Sequence, residues 1–256
     1  MNWFEYLLYG IVSGFAELLP ISSSAHQKIL QALFGVSSGN ALHDLIVHIV
    51  VLCSILFLNR AYAASNRSRR TRADAKHLKT ALIPIFVGAI FYPIVLSWNI
   101  DFSILAVLLL INGIILYIPS RMLNGNKTAA SLSGFDSLLI GTGAALGVFP
   151  GISRVAGVLS AASARGADSK NAFQWSLYLS IPSVVIMIIM DIVSLGTASA
   201  YSLQFFGAVL SVAGVAIGVG IGYCVMRFLA VRAGFTLFSY YSWGAALFSF
   251  ILYLLV

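Results

Sequence analysis

Charge is scarce in this chain. Of 256 residues only 9% are Asp, Glu, Lys or Arg, and the acids number just eight. That is too little for an ordinary soluble domain, in which about a quarter of residues are charged. Cysteine is nearly absent: Cys53 and Cys224 both fall in apolar stretches, read as small core residues, and carry no information about redox compartment. Alternating segments of the barrel type are missing, which argues against an outer-membrane barrel. The first segment has no basic n-region and no small-residue cleavage site, so no removable signal peptide is expected.

Hydrophobic residues make up 60% of the chain. Apolar runs of membrane-spanning length recur throughout, which predicts an all-α, polytopic membrane protein. The net charge of +7 is uneven, since seven of the fifteen Lys and Arg fall between Arg60 and Lys79. Only Tyr62 supplies an aromatic nearby, so the run reads as a topology signal and not as a nucleic-acid surface. A short basic loop of this kind is expected on the cytoplasmic side.

Two interruptions organise the apolar sequence. The first is Glu17-Leu-Leu-Pro-Ile-Ser-Ser-Ser-Ala-His26, and the second is Phe149-Pro-Gly-Ile-Ser-Arg154. Each places Pro and then Ile-Ser where a membrane helix would otherwise continue. Proline removes a donor and clashes with the preceding turn, so each stretch is expected to stop one helix and start another. Serine at the new start is a good N-cap. A helix start, with its N–H groups and positive dipole end, suits an anion.

The pieces flanking Pro20, about 4–19 and 25–36, are short for spanning and predict a re-entrant helical hairpin. A turn at Gly35–Asn40 and spans at about 42–59, 80–98 and 102–119 follow. The last two are joined by a tight Trp98-Asn-Ile-Asp101 turn. A polar loop, 120–136, carries Arg121, Lys127 and Asp136. Residues 137–165 then repeat the broken pattern, followed by spans at about 172–193, 202–226 and 233–256. At an offset of 131 residues Gly10 falls on Gly141, Ile21-Ser22 on Ile152-Ser153, Ala25 on Ala156 and Asn40-Ala41 on Asn171-Ala172. The reading is one membrane domain of about six transmembrane helices and two re-entrant hairpins. Repeat 1 covers about 4–119 and repeat 2 about 137–256. Three spans separate the hairpins, so the repeats are expected to be inverted, with 60–79, 120–136, 165–170 and 227–232 inside and both termini outside. Transporters of inverted-repeat design bind where such broken helices meet.

Irregular backbone is tolerated in a bilayer only inside protein or beside a water-filled cavity, and ionisable residues there are costly. Glu17, His26 and Arg154 meet that description. Glu17 can hold a metal, act as a base, or pair with Arg154. His26 lies four residues after Ser22 on one helical face, the spacing of a nucleophile–base pair, with a satisfied core histidine as the alternative. Ser22, Ser23 and Ser24 offer hydroxyls, at least one of them as a cap. Arg154 at a helix start suits phosphate oxygens. His43, Asp44 and His48 invite a metal reading, but only Asp44 and His48 share a face and no third ligand is near. Asp136 and Asp191, near span ends, read as solvated. Trp3 and Trp98 read as interface anchors.

On these residues the chain resembles the undecaprenyl pyrophosphate phosphatases of the bacitracin-resistance type. Glu17 to His26 is similar to that family's first motif, Pro150-Gly-Ile-Ser-Arg154 to the start of its second, and Asn171 to Pro182 to the region that follows. The resemblance implies a multi-pass enzyme of the bacterial inner (plasma) membrane. It would hydrolyse a polyprenyl pyrophosphate lipid to the monophosphate, recycling the carrier for cell-wall synthesis. It implies metal or acid–base work for Glu17, and attack or proton transfer for His26 with one serine of 22–24. Gly151, Ser153 and Arg154 would hold the pyrophosphate. A divalent cation, Mg or Ca, is implied as cofactor. No nucleic-acid partner is expected, and homo-oligomerisation is left open.

Some family positions differ here. Ser13 stands where a second acidic residue or Gln usually precedes the Glu. Val155, Ala156 and Val158 stand where Ser, Gly and Thr usually follow the Arg, and Ser242 stands where an Arg follows the tyrosine pair. The leading expectation is hydrolysis. The rivals are a non-hydrolytic lipid-phosphate carrier with the same fold and a small-anion or drug transporter.

Overall fold

A computed structural model describes residues 2–34, 41–65, 72–120, 125, 131–197, 205–232 and 235–255. Among them the chain is helical almost throughout. Helix α1 (Trp3–Leu18) opens on a capping box, in which Asn2 Oδ1 accepts from the Glu5 N–H and Glu5 Oε2 accepts from the Asn2 N–H. It ends just before Pro20, and α2 (Ser23–Leu33) starts after Ser22. Three long helices follow, α3 (Ala41–Ser65), α4 (Arg72–Leu96) and α5 (Phe102–Ser120). The order then repeats. Helix α6 (Gly134–Ala145) and a 3-10 turn (Leu146–Val148) run up to the second break, and α7 (Arg154–Ala164) leaves it. Helices α8 (Ser169–Thr197), α9 (Phe205–Arg232) and α10 (Leu237–Leu255) complete the set.

Both interruptions fall where the sequence places them, but proline alone does not make them. Pro84 and Pro93 sit inside α4 and Pro182 inside α8 without ending either helix. Helices α4 and α8 also outrun the expected spans, starting at Arg72 and reaching Thr197. The Gly35–Asn40 turn and the residues 66–71, 121–124, 126–130 and 198–204 lie outside the described residues, and with them part of the basic loop, Arg121 and Lys127. At the turn between α4 and α5, Asp101 Oδ1 accepts from the N–H groups of Ile104 and Ser103 and from the Ser103 hydroxyl. The Ile104 bond foremost, then the Ser103 hydroxyl, holds the Asp101 carboxyl below its ordinary range. This cap is therefore present above the ordinary carboxylate range and lost as acid carries the pH through the lowered value.

Four stretches are long and apolar enough to cross a membrane: Leu42–Arg60, Ser169–Gly196, Phe205–Ala230 and Thr236–Leu255. Shorter apolar helices lie at Lys79–Val95, Phe102–Tyr117 and Gly134–Val148. The outer surface is apolar, with Phe57, Ile90 and Phe205 exposed, while Glu17, His48, Asn112, Asp136 and Asp191 are buried. This distribution, apolar outside and polar within, is that of a polytopic membrane protein. Cys53 and Cys224 belong to the outer face: both are exposed, which corrects their reading as core residues. A small apolar side chain is as well placed against lipid tails as in a core. Trp3 and Trp98 are exposed.

Helix α1 lies along α9 and α6 along α4; α3 pairs with α8 and α5 with α10. Small residues permit the approach. A methyl group placed on Gly14 would lie 2.2 Å from Val215 O, and one on Gly141 would lie 2.1 Å from Ala81 O. Helices in lipid associate by such close backbone contact, because lipid tails remove the hydrophobic drive between them. Gly14→Ala should therefore destabilise the protein by about 1–3 kcal/mol through overpacking. Gly244, with nothing within 4 Å of an added methyl, should accept Ala without loss. Thermal unfolding in detergent checks both.

Candidate active site

The two breaks meet and satisfy each other's backbone. Ser22 has φ 66° and ψ 100°, a conformation that L residues rarely adopt. Its carbonyl accepts from His26 Nδ1 at 2.7 Å, and its Oγ accepts from the Gly151 N–H at 3.0 Å. Gly151 itself has φ +102°, which glycine adopts freely. In return Ser153 Oγ donates to Leu19 O at 3.1 Å while accepting from the Ala156 N–H as the N-cap of α7. Asn112, from the middle of α5, ties the two together. Its Oδ1 accepts from the Ser153 N–H at 2.8 Å, and its Nδ2 donates to Pro20 O and Ser242 Oγ, each at 3.0 Å.

This junction brings Glu17, at the end of α1, to Arg154, at the start of α7. Glu17 is 3% exposed. One carboxylate oxygen accepts from Arg154 Nη2 and the other from Ser23 Oγ. Arg154 Nη1 meets only the Met187 sulfur, a weak acceptor, and its buried Nε has no partner among the described residues. Two guanidinium donors are thus free for stronger acceptors. Of the roles open to Glu17, the structure shows the pairing with Arg154, and it adds an acceptor contact to the Ser23 hydroxyl.

The expected Ser22–His26 side-chain pair does not form. His26 Nδ1 bonds the Ser22 carbonyl, an acceptor, so that nitrogen carries the proton. Its Nε2 meets the Tyr241 hydroxyl at 2.6 Å, and the two rings stack with centroids 5.6 Å apart. The i to i+4 spacing brought His26 to Ser22, but to the carbonyl that ends the strained turn. Of the three serines, Ser23 touches the carboxylate; Ser22 holds the junction, and Ser24 Oγ lies 3.3 Å from Ser22 Oγ.

Two acids read as solvated are buried instead. Asp136 closes the capping box of α6 with Ser133 and pairs with Arg165, and these partners cover its carboxylate although Ser133, Gly134 and Phe135 at the same helix start are exposed. Asp191 is not at a helix end, since α8 continues to Thr197, and its Oδ2 meets His48 Nδ1 at 2.6 Å. Asn112 and Tyr241 were not singled out from the sequence. Asn112 had a signal: it is the one polar side chain in the run Ala106 to Leu116.

The family model described as "Bacitracin resistance protein BacA" matches residues 6–248. The chain belongs to this family. A protein named undecaprenyl-diphosphatase from Carboxydothermus hydrogenoformans is 29% identical, over 95% of this chain and 94% of its own. Proteins of the same name from Methanococcus maripaludis and Desulfatibacillum aliphaticivorans are 28% and 27% identical, over 95% and 82% of this chain and 98% and 86% of theirs. The residues at which the sequence is expected to depart from the family's motifs have clear places. Ser13, one turn before Glu17, is fully buried with its hydroxyl unpaired among the described residues. Val155 and Val158 are buried in the core around α7, and Ser242 bonds Asn112.

The carboxylate that the junction offers to the Mg or Ca ion implied by the resemblance is that of Glu17. Among the described residues no three His, Cys, Asp or Glu side chains gather as metal ligands. Both Glu17 oxygens are engaged, and Ser13 adds no carboxylate. Replacing Asn112 by Ala should cost about 1–3 kcal/mol for each buried group left unsatisfied. It should also lower activity, since the two breaks lose their tie; unfolding and turnover measured on one preparation check this.

Proposed function

We propose that this BacA-family protein hydrolyses a long-chain polyprenyl diphosphate of the undecaprenyl type to the monophosphate and phosphate. Its place is the plasma membrane of a bacterium, with the two halves inverted about the junction of the breaks. The observation that carries the reading is the row Ser23–Glu17–Arg154: a hydroxyl, the carboxylate it donates to, and a guanidinium with free donors. They stand where two helices start, a setting that favours anions. The apolar outer surface lets a lipid tail stay in the bilayer while its head reaches the junction.

In this scheme Arg154 takes the diphosphate oxygens with Nε–H and the Nη1 donors now on Met187. The Ser23 oxygen attacks the terminal phosphorus as its proton passes to Glu17. The bridging P–O bond breaks, and its electron pair leaves with the lipid monophosphate. Water then attacks the phosphoserine, the proton on Glu17 returns to Ser23 Oγ, and phosphate departs. Arg154 stabilises the charge that grows on the phosphoryl oxygens. His26, held by Ser22 and Tyr241, shapes the start of α2 and keeps Nε2 directed away from Ser23.

The test is phosphate release from undecaprenyl diphosphate by the purified protein in detergent. Ser23→Ala and Glu17→Gln should each lower kcat by about a hundredfold or more, since both belong to the proton transfer. Ser24→Ala should retain most activity. Arg154→Lys should raise KM and lower kcat, because an ammonium does not reproduce the planar fork. Release that is absent from the intact protein while prenyl diphosphate still binds would sink hydrolysis and favour a carrier.

A further inference from the structure

Helices α1 and α2 pack against each other along a seam with polar side chains on both sides. At one end Gln31 Nε2 donates to the Tyr9 hydroxyl oxygen at 2.9 Å. At the other end Ser23 Oγ donates to Glu17. Tyr9, Ser13 and Glu17 recur every four residues along α1, and Ser23, Gln27 and Gln31 do so along α2. Each trio therefore shares one face of its helix. Between the two bonded ends stand Ser13 on one side and Gln27 on the other. There the pairing stops. Ser13 Oγ and Gln27 Nε2 are both buried, and neither has a partner among the described residues. Ser13 as a whole is 0% exposed.

This unpaired level lies one turn from the Glu17–Ser23 contact on both helices. Long side chains on a helix lean toward its N-terminus. Glu17 thus leans over Ser13, and Gln27 leans over Ser23, so that carboxylate, hydroxyl and carboxamide converge on one stretch of the seam. Both orphan groups have a hydrogen to give. The charged acceptor on that stretch is Glu17, whose oxygens are held by Ser23 and Arg154. Diphosphate binding disturbs that arrangement. The guanidinium that holds Glu17 is also the group that suits phosphate oxygens, and a buried carboxylate that loses its partner is strongly unfavourable.

We propose that Ser13 and Gln27 are reserve donors for Glu17, taking the carboxylate oxygen that Arg154 releases when it turns to the diphosphate. This rests on the diphosphatase reading above. Both are positioning residues that act through Glu17, and no covalent bond is made or broken at either. They keep one carboxylate oxygen in place while the other stays on Ser23, ready for its proton. Two donors left unmet in a core lower stability, and the seam carries them because they are met only in the bound state.

The probe is a prenyl methylenediphosphonate, whose bridging carbon resists hydrolysis. Its affinity, and thermal unfolding without it, are measured for the intact protein, Ser13→Ala and Gln27→Met. Each variant should bind the probe about tenfold more weakly, the scale of one lost hydrogen bond to a charged group. Neither should unfold earlier than the intact protein, because each removes a donor that is unpaired until the probe binds. In turnover the loss should appear in KM, since the contact is made on binding. Affinity equal to that of the intact protein overturns the inference. Weaker binding in step with earlier unfolding marks a structural role and overturns it too. Arg154→Ala gives an independent arm. With the guanidinium gone, Ser13 and Gln27 should already hold Glu17, so that adding Ser13→Ala now lowers the unfolding temperature; no such loss overturns the inference. If Arg154→Ala does not fold, the binding measurement decides alone. Failure of the intact protein to release phosphate from undecaprenyl diphosphate overturns the diphosphatase reading and this one with it. Turnover by the intact protein, with both variants indifferent to the probe, removes only this one.

Discussion

Interrupting a helix in an apolar environment strands backbone N–H and C=O groups that have no water to turn to, and each stranded group costs several kcal/mol by typical transfer values of roughly that size. Here the two interruptions solve the problem jointly. Ser22 Oγ receives the N–H of Gly151, Ser153 Oγ gives to the carbonyl of Leu19, and Asn112 reaches both breaks from α5. Neither break is complete without the other. The strained backbone of Ser22 persists because its carbonyl and its hydroxyl are both engaged.

The charged site follows from that junction. Glu17 ends one helix and Arg154 starts another, 137 positions away in sequence, and the crossed hydrogen bonds bring them into contact. Neither charge is stable alone at this depth, so each depends on the other and on the hydroxyl of Ser23. The pair is also unfinished. A buried Nε without an acceptor and an Nη1 set against a thioether are donors waiting for stronger oxygens. A site built only for stability would have satisfied them. Val155 and Val158 pack inward from α7, and Ser242 serves Asn112, so their positions support the frame and leave Ser23, Glu17 and Arg154 intact.

Much of the architecture was legible in local sequence. Long apolar runs and the two Pro-Ile-Ser interruptions each report on a stretch of chain that can be read by itself. Where reading failed, it failed on partners. Pro84, Pro93 and Pro182 have the same local chemistry as Pro20, yet neighbouring helices allow α4 and α8 to continue through them. Asp191 resembled a solvated helix end until α8 was seen to extend beyond it and His48 to face it. Cys53 and Cys224 were apolar by composition, and only the bundle showed that they face outward.

The sequence by itself determined the membrane class, the two places where the apolar run is broken and the residue types capable of binding an anion. Those properties depend on hydropathy and on backbone chemistry within a few residues. The tertiary structure alone decided which serine meets the carboxylate, that His26 turns to Tyr241, and that Asn112 joins the breaks. Each of those facts is a contact between side chains or breaks set by how helices cross, and spacing along one helix carries no information about what a neighbouring helix presents.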